Sequence, residues 1–313
     1  MNKITIKTIL LAGCSILGGA NAMAADGDGS FYLGAFGGIG STANQSVEQL
    51  GIAHQGFTHN RSDHPSEYYT YDLLVDVDGT NQSKTATVFG GQIGYEWNTG
   101  SAFKPAIEVE GVYLSANQRS NLVNLQDDGV TNIKVIQNGV PSRVTDRITL
   151  NMVVNHVLET PLSAGHHTFT DTSKMKVTLF TLNGVVTYDT GSKLKPYAGA
   201  GAGLALVNMR DAVSLQTGPG ANPELDAGTP VNHFNSRDNA KDITLAVQAK
   251  AGVRYQVTKS LSLFAEYRFI RLSSTEYSFG STVYPGHAPT DNWGVKNGSM
   301  NLHNGLVGVR LGF

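Results

Sequence analysis

His303-Asn304-Gly305-Leu306-Val307-Gly308-Val309-Arg310-Leu311-Gly312-Phe313, the last residues of the sequence, decide how the rest is read. Phe313, Leu311, Val309 and Val307 fall on one face of an extended chain, and Gly312, Arg310, Gly308, Leu306 and Asn304 on the other. A period of two with one greasy face is a half-buried strand. Its one arginine shares a face with glycines, and the stretch ends on an aromatic. A soluble β-sandwich also has strands of this kind, so the fold depends on whether the pattern recurs and with what spacing.

It recurs through Phe31 to Gly40, Thr85 to Trp97, Ala106 to Leu114, Lys176 to Thr187, Tyr197 to Val207, Ile243 to Val257 and Leu261 to Arg271. Alternation is clearest in the sixth stretch. There Leu245, Val247, Ala249, Ala251, Val253 and Tyr255 alternate with Gln248, Lys250, Gly252, Arg254 and Gln256. Short turns at 98–101, 190–192 and 258–260 alternate with long polar segments near 41–83, 116–174, 208–241 and 273–300. A sandwich has no reason to sort its connections by length. Bacterial membrane barrels do, with short periplasmic turns and long extracellular loops. The expected fold is all-β: an eight-stranded antiparallel up-and-down transmembrane β-barrel with long extracellular loops, spanning residues 25–313. Within the second long segment, Ile133 to Ile136 and Arg147 to Val154 flank Asn138-Gly139, which predicts a hairpin outside the membrane. The segment 41–83 shows no clear period.

Composition agrees. The chain has 313 residues with 36 Gly and 15% charged side chains, too long and too apolar for disorder. A net charge of −2 gives no basic surplus for nucleic acid. Residues 1–24 read as an export signal: Lys3 and Lys7, an apolar stretch from Thr8 to Ala20, and a cleavage site at Ala22-Met23-Ala24. Leu11-Ala12-Gly13-Cys14 also matches a lipobox, but the apolar run from Lys7 to Cys14 is short and continues to the better-placed site at Ala24. Cleavage there leaves no cysteine, so stability has to come from something other than disulfides, such as a closed hydrogen-bonded barrel. No later stretch is long and apolar enough for a transmembrane helix. A barrel strand needs only about 9–11 residues of weak alternation.

With the apolar face outward, the lumen receives Glu96, Glu108, Glu110 and Glu266 together with Lys250, Arg254, Arg268 and Arg310. An eight-stranded barrel is just wide enough inside for side chains. Balanced charges there are expected to pair, because an unpaired buried charge is costly. Phe89, Tyr95, Tyr113, Tyr188, Tyr255, Tyr267 and Phe269 lie near strand ends on the apolar face, as aromatic girdles do.

Eight strands, sorted loops, a leader and a terminal Phe together resemble the superfamily of small Gram-negative outer-membrane barrels: OmpA-type domains, OmpX and the opacity-type surface antigens. The resemblance covers nearly all of the chain after residue 24 and is architectural, with no short motif; the long loops are nearest the opacity type. It implies residence in the outer membrane, contact with outer-membrane lipid and lipopolysaccharide, and a monomer that needs no cofactor. It also implies that Phe313 is a recognition signal for the barrel-assembly machinery. The function it implies is that of a non-enzymatic surface protein, its barrel an anchor and its loops an adhesive surface for host or envelope ligands. A narrow channel for small or hydrophobic solutes, or an outer-membrane hydrolase, are the other readings.

Eight of the nine histidines lie in the long segments. His59 with His64, and His166 with His167, lack ligand spacing and a cysteine partner, so no metal site is expected. Asp76-Val77-Asp78-Gly79 begins like a calcium loop but lacks its later Gly and Glu, which favours a turn. Tyr68-Tyr69-Thr70-Tyr71 near Arg61 reads equally as a contact patch or as a strand-like extension of the loop. Omptin-type proteases need acidic pairs and an Asp–His pair at the rim, and no such set is legible. His303 is the one histidine on an expected strand, without an assignable Ser partner. No catalytic residue is expected.

Overall fold

The computed structural model describes residues 29–61, 64–82, 84–123, 134–138, 168–217, 231–284 and 289–313. The leader, Cys14, the stretch Arg147 to Val154, and His156, His166, His167 and His287 lie outside the described residues.

Thirteen strands are described: β1 (Gly29–Thr42), β2 (Gln45–Arg61), β3 (His64–Asn81), β4 (Thr85–Trp97), β5 (Phe103–Val123), β6 (Lys134–Asn138), β7 (Thr168–Tyr188), β8 (Leu194–Thr217), β9 (Ala240–Gln256), β10 (Leu261–Leu272), β11 (Thr275–Ser278), β12 (Gly294–Asn297) and β13 (Met300–Gly312). Eight of them close a ring in the order β1-β4-β5-β7-β8-β9-β10-β13. The last strand pairs antiparallel with the first, from Tyr32 opposite Gly312 to Thr42 opposite Leu302. Phe313 adds a backbone hydrogen bond, its N–H donating to the Phe31 carbonyl at 3.0 Å. A closed ring leaves no edge unpaired, which the hydrocarbon layer requires.

Outward side chains along the ring are apolar and exposed: Ile93, Ile107, Leu182, Leu204, Leu245 and Val307 among them. In a soluble protein such a wall would be untenable; in a bilayer it meets lipid. Phe103 packs on Tyr188, and Tyr95 on Trp97 and Phe31, at the turn end.

The turns at that end use one chemistry twice. Thr99-Gly100-Ser101 and Thr190-Gly191-Ser192 both place glycine at positive φ, 70° and 72°. Gly supplies that conformation at little steric cost. Thr99 Oγ1 donates to the Phe103 carbonyl at 2.8 Å, and Thr190 Oγ1 to that of Leu194 at 2.6 Å. Asp189 clamps the ends of β5 and β8 by pairing with Lys104 at 2.9 Å and Lys195 at 3.1 Å.

The other end departs from the sequence reading. Segment 41–83, expected as aperiodic, is the hairpin β2–β3. Its inward face carries Gln45, Gln49 and Asn81 beside Val47 and Val77, so burial does not follow polarity and the period is hidden. Asp76 to Gly79 is strand, paired with Leu50 to Val47, and not a turn. Tyr68 to Tyr71 lies in the same strand, opposite Thr58 to Gln55. β5, β7 and β8 run well past their expected ends, and β5 and β7 stay paired as far as Val123 opposite Thr168. Once two backbones are in register, continuing the ladder satisfies donors and acceptors that would otherwise need water. The expected hairpin around Asn138-Gly139 has its first arm as β6, whose described partner is β3. A small pair, β11–β12, fills part of the last long segment. His303 is thus not alone among strand histidines, since His54, His59 and His64 also lie in strands.

Candidate functional site

The lumen has three storeys. Nearest the turns, Arg254 and Arg310 reach Glu96 from β9 and β13, at 3.2 and 3.1 Å. Thr187 donates to the same carboxylate at 3.0 Å. Arg310 lies over the Tyr32 ring, 3.4 Å from its centre. The Tyr32 hydroxyl donates to Glu108 at 2.9 Å. Gly94 makes room for this ring, since a Cβ there would sit 2.4 Å from it.

One layer up, Lys250 bridges Glu108 and Glu110, reaching Glu110 at 2.7 Å. Arg268 bridges Glu110 at 2.8 Å and Glu266 at 2.6 Å, with Phe36 4.5 Å below its guanidinium. Gln248 donates to Glu110 at 2.5 Å, and Tyr197 to Glu266 at 2.9 Å. The structure places all eight of the lumen charges inside and pairs each acid with at least one base. Arg268 and Glu110 are 0% exposed, enclosed by their neighbours. Pairing of this quality is what keeps buried charge tolerable.

Above lies an apolar storey of Val88, Val112, Leu114, Leu179, Val207 and Ile270, continued by Met175, Met209 and Met300. Above that, residues from the long segments close the top. Trp293 is buried, and its indole N–H donates to Thr282 at 3.0 Å. His233 contacts the same Thr282 hydroxyl at 3.1 Å and packs edge-on against Trp293 and Phe169. Phe234 stacks on Phe279 with centres 4.4 Å apart. Gly51 leaves space for this cap, because a Cβ there would lie 2.2 Å from the Trp293 ring. Sequence reading missed the cap. The available signal was a tryptophan, one of two in the chain, stranded in a polar segment.

At the rim His54 and Asp291 form a pair at 3.2 Å, both substantially exposed. This Asp–His contact was not legible in sequence, where 237 residues separate its members. His303 faces outward and bonds the Tyr267 hydroxyl at 2.7 Å. Among the described residues no three His, Cys, Asp or Glu side chains converge on a metal position.

A closed eight-stranded ring with an apolar outer belt, a filled polar lumen and long segments at one end defines an outer-membrane β-barrel. Residues 29–313 match the model of the surface antigen family, and the chain belongs to that family. No curated protein matches the sequence. Among solved structures the chain is similar to Neisserial surface protein A, at 14% identity and a TM-score of 0.31 over 92% of this chain and 100% of that one. It is similar to the outer-membrane protein OprG of Pseudomonas aeruginosa, at 11% identity and a TM-score of 0.39 over 91% and 98%. It is also similar to the outer-membrane protease OmpT of Escherichia coli, at 9% and 0.34 over 90% and 97%.

Proposed function

We propose that the protein is a non-enzymatic surface protein of the Gram-negative outer membrane. Its barrel is a closed anchor, and the β-structure beyond the membrane is the surface that meets host or envelope ligands. The observation that supports this is the double closure of the lumen, by the Glu110–Arg268–Glu266 layer below and the Trp293 cap above. A lumen filled in this way transports nothing, which leaves the β2–β3 hairpin and its neighbours as the functional part. Export depends on the leader of residues 1–24, and insertion on recognition of Phe313 by the assembly machinery.

Two measurements test this. Purified protein in planar bilayers gives no steady single-channel current. Cells displaying a version with the β2–β3 hairpin shortened to a turn lose binding to host cells while the barrel still shows heat-modifiable migration on gels. Unchanged cell binding after trimming of every loop refutes the surface role.

The apolar storey favours a second reading, a conduit for small hydrophobic solutes. It requires the cap to open, and uptake of such solutes by cells carrying the protein decides it. The exposed His54–Asp291 pair is tested by looking for cleaved peptides or altered lipid A on overexpression.

A further inference from the structure

On the outer wall of β5, β7 and β8 the side chains change from apolar through uncharged polar to cationic. Along β7, from the turn end, apolar positions reach Phe180, and after Thr178 come Lys176 and Lys174. Along β8 they reach Leu206, and Arg210 comes after Asn208; along β5 they reach Tyr113, and Arg119 comes after Ser115 and Asn117. All of these share the outward phase of their strands, opposite in phase to the buried Leu114, Leu179 and Val207. Register brings the cations together: Lys174 is opposite both Asn117 and Arg210, Lys176 opposite Ser115, and Arg119 opposite Thr172. With strands about 4.8 Å apart and a rise of about 3.3 Å per residue, the patch is roughly 10 Å wide and 13 Å long.

Asp211 is the one acid among its described residues. It sits at φ 50°, where the β7–β8 ladder shifts register, and pairs with Lys174 at 2.8 Å. Among the described residues Arg119, Lys176 and Arg210 have no carboxylate at ion-pair distance. The patch therefore has an excess of three positive charges. The patch ends on the β4 side, where Thr87 lies opposite Ser115, and on the β9 side it is adjoined by exposed Lys241, opposite Asn208.

We propose that this wall binds the phosphorylated headgroup of an outer-leaflet glycolipid of the lipid A type. The inference rests on the reading that the long segments face outside the cell. The acyl chains lie along Phe180, Leu204 and Leu206, and the phosphates sit two to six residues higher among the cations. Guanidinium forks suit phosphate oxygens, and the lysines add point charge. A patch longer than one phosphate matches a headgroup carrying two.

The test uses full-length protein folded in detergent micelles, with bisphosphorylated lipid A as probe and its monophosphoryl and dephosphorylated forms as comparators, read by native mass spectrometry. Binding by the unmodified protein falls stepwise as phosphates are removed and weakens with salt. R119Q/K176Q/R210Q lowers binding of the bisphosphorylated form tenfold or more. D211N, which tolerates the positive φ, raises it at least twofold. Equal binding of all three lipid forms, or a folded triple variant that binds like the parent, overturns the proposal. If the triple variant fails to show heat-modifiable migration, the lipid series and D211N decide. Conductance and cell binding are measured on the same preparations, so the anchor reading and the lipid site can fail separately.

Discussion

Arg268→Met is the most informative perturbation of the barrel. The substitution keeps the apolar stem and removes a guanidinium that is 0% exposed and bonded to two carboxylates. Its partners are left in unequal states. Glu110 keeps Lys250 at 2.7 Å and Gln248 at 2.5 Å, whereas among the described residues Glu266 keeps only the Tyr197 hydroxyl at 2.9 Å. Removing one member of a buried pair costs about 3–5 kcal/mol, most of it the penalty on the charge left behind. Lost cation–π contact with Phe36 accounts for about 1–2 kcal/mol of that. The charge left behind is Glu266, so E266Q in the R268M background recovers about 2 kcal/mol. E110Q in the same background recovers less, because it also weakens the hold on Lys250. Urea unfolding in phospholipid vesicles, followed by tryptophan fluorescence and gel migration, measures both. If R268M lies within about 1 kcal/mol of the parent, or E110Q rescues better than E266Q, the network does not bear on stability as argued.

Three further outcomes are expected. Lys104 and Lys195 hold the Asp189 carboxyl well below the usual carboxylate range, so its contribution is present above about pH 4 and lost as pH falls through the lowered value. D189N accordingly costs at most about 1 kcal/mol near neutrality and nothing in strong acid, read by vesicle unfolding across pH. In the extramembrane part of β7, Asp171 is only half-buried as a residue, but its Oδ1 is sealed from solvent without a hydrogen-bond partner. Burial pushes its carboxyl up to about 7 despite a bond from Ser214. The folded state then holds a proton that the unfolded chain releases near pH 4, so the stability of this region declines as pH rises from about 4 to 7. D171N removes that slope and protects the cap from proteolysis at pH 8; an unchanged pH profile contradicts the assignment. Deleting Phe313, which bonds the first strand through Phe31, reduces the amount inserted more than it alters any binding activity; normal surface levels of the deletant refute its role in assembly.

The barrel was legible because its two environments impose the same period on every spanning strand. Lipid outside and packed side chains inside make Leu263, Ala265, Tyr267 and Phe269 alternate with Phe264, Glu266, Arg268 and Ile270, and burial follows that phase. The eight lumen charges could be assigned to the inside for the same reason: a charge within an apolar alternation has only one tolerable side. Beyond the membrane the rule lapses. Water can satisfy either face of a strand, so the polar inward face of β2 gave no period and the hairpin went unread. The onward runs of β5, β7 and β8 were hidden likewise, since their outward positions turn polar where lipid ends.

Sequence by itself thus determined the number of ring strands, their phase, the side each charge would take and the sorting of the loops, because all of these follow from one-dimensional periodicity against two solvents. Which acid meets which base was decided only by the tertiary structure. Arg268 reaches Glu110 from 158 residues away, and Lys250 reaches Glu108 from 142, through ring closure and shear that no local pattern encodes. The same holds for the Trp293 cap and for the cations of β5, β7 and β8. Their members are scattered along the chain and become neighbours only when the hydrogen-bond register brings their strands together.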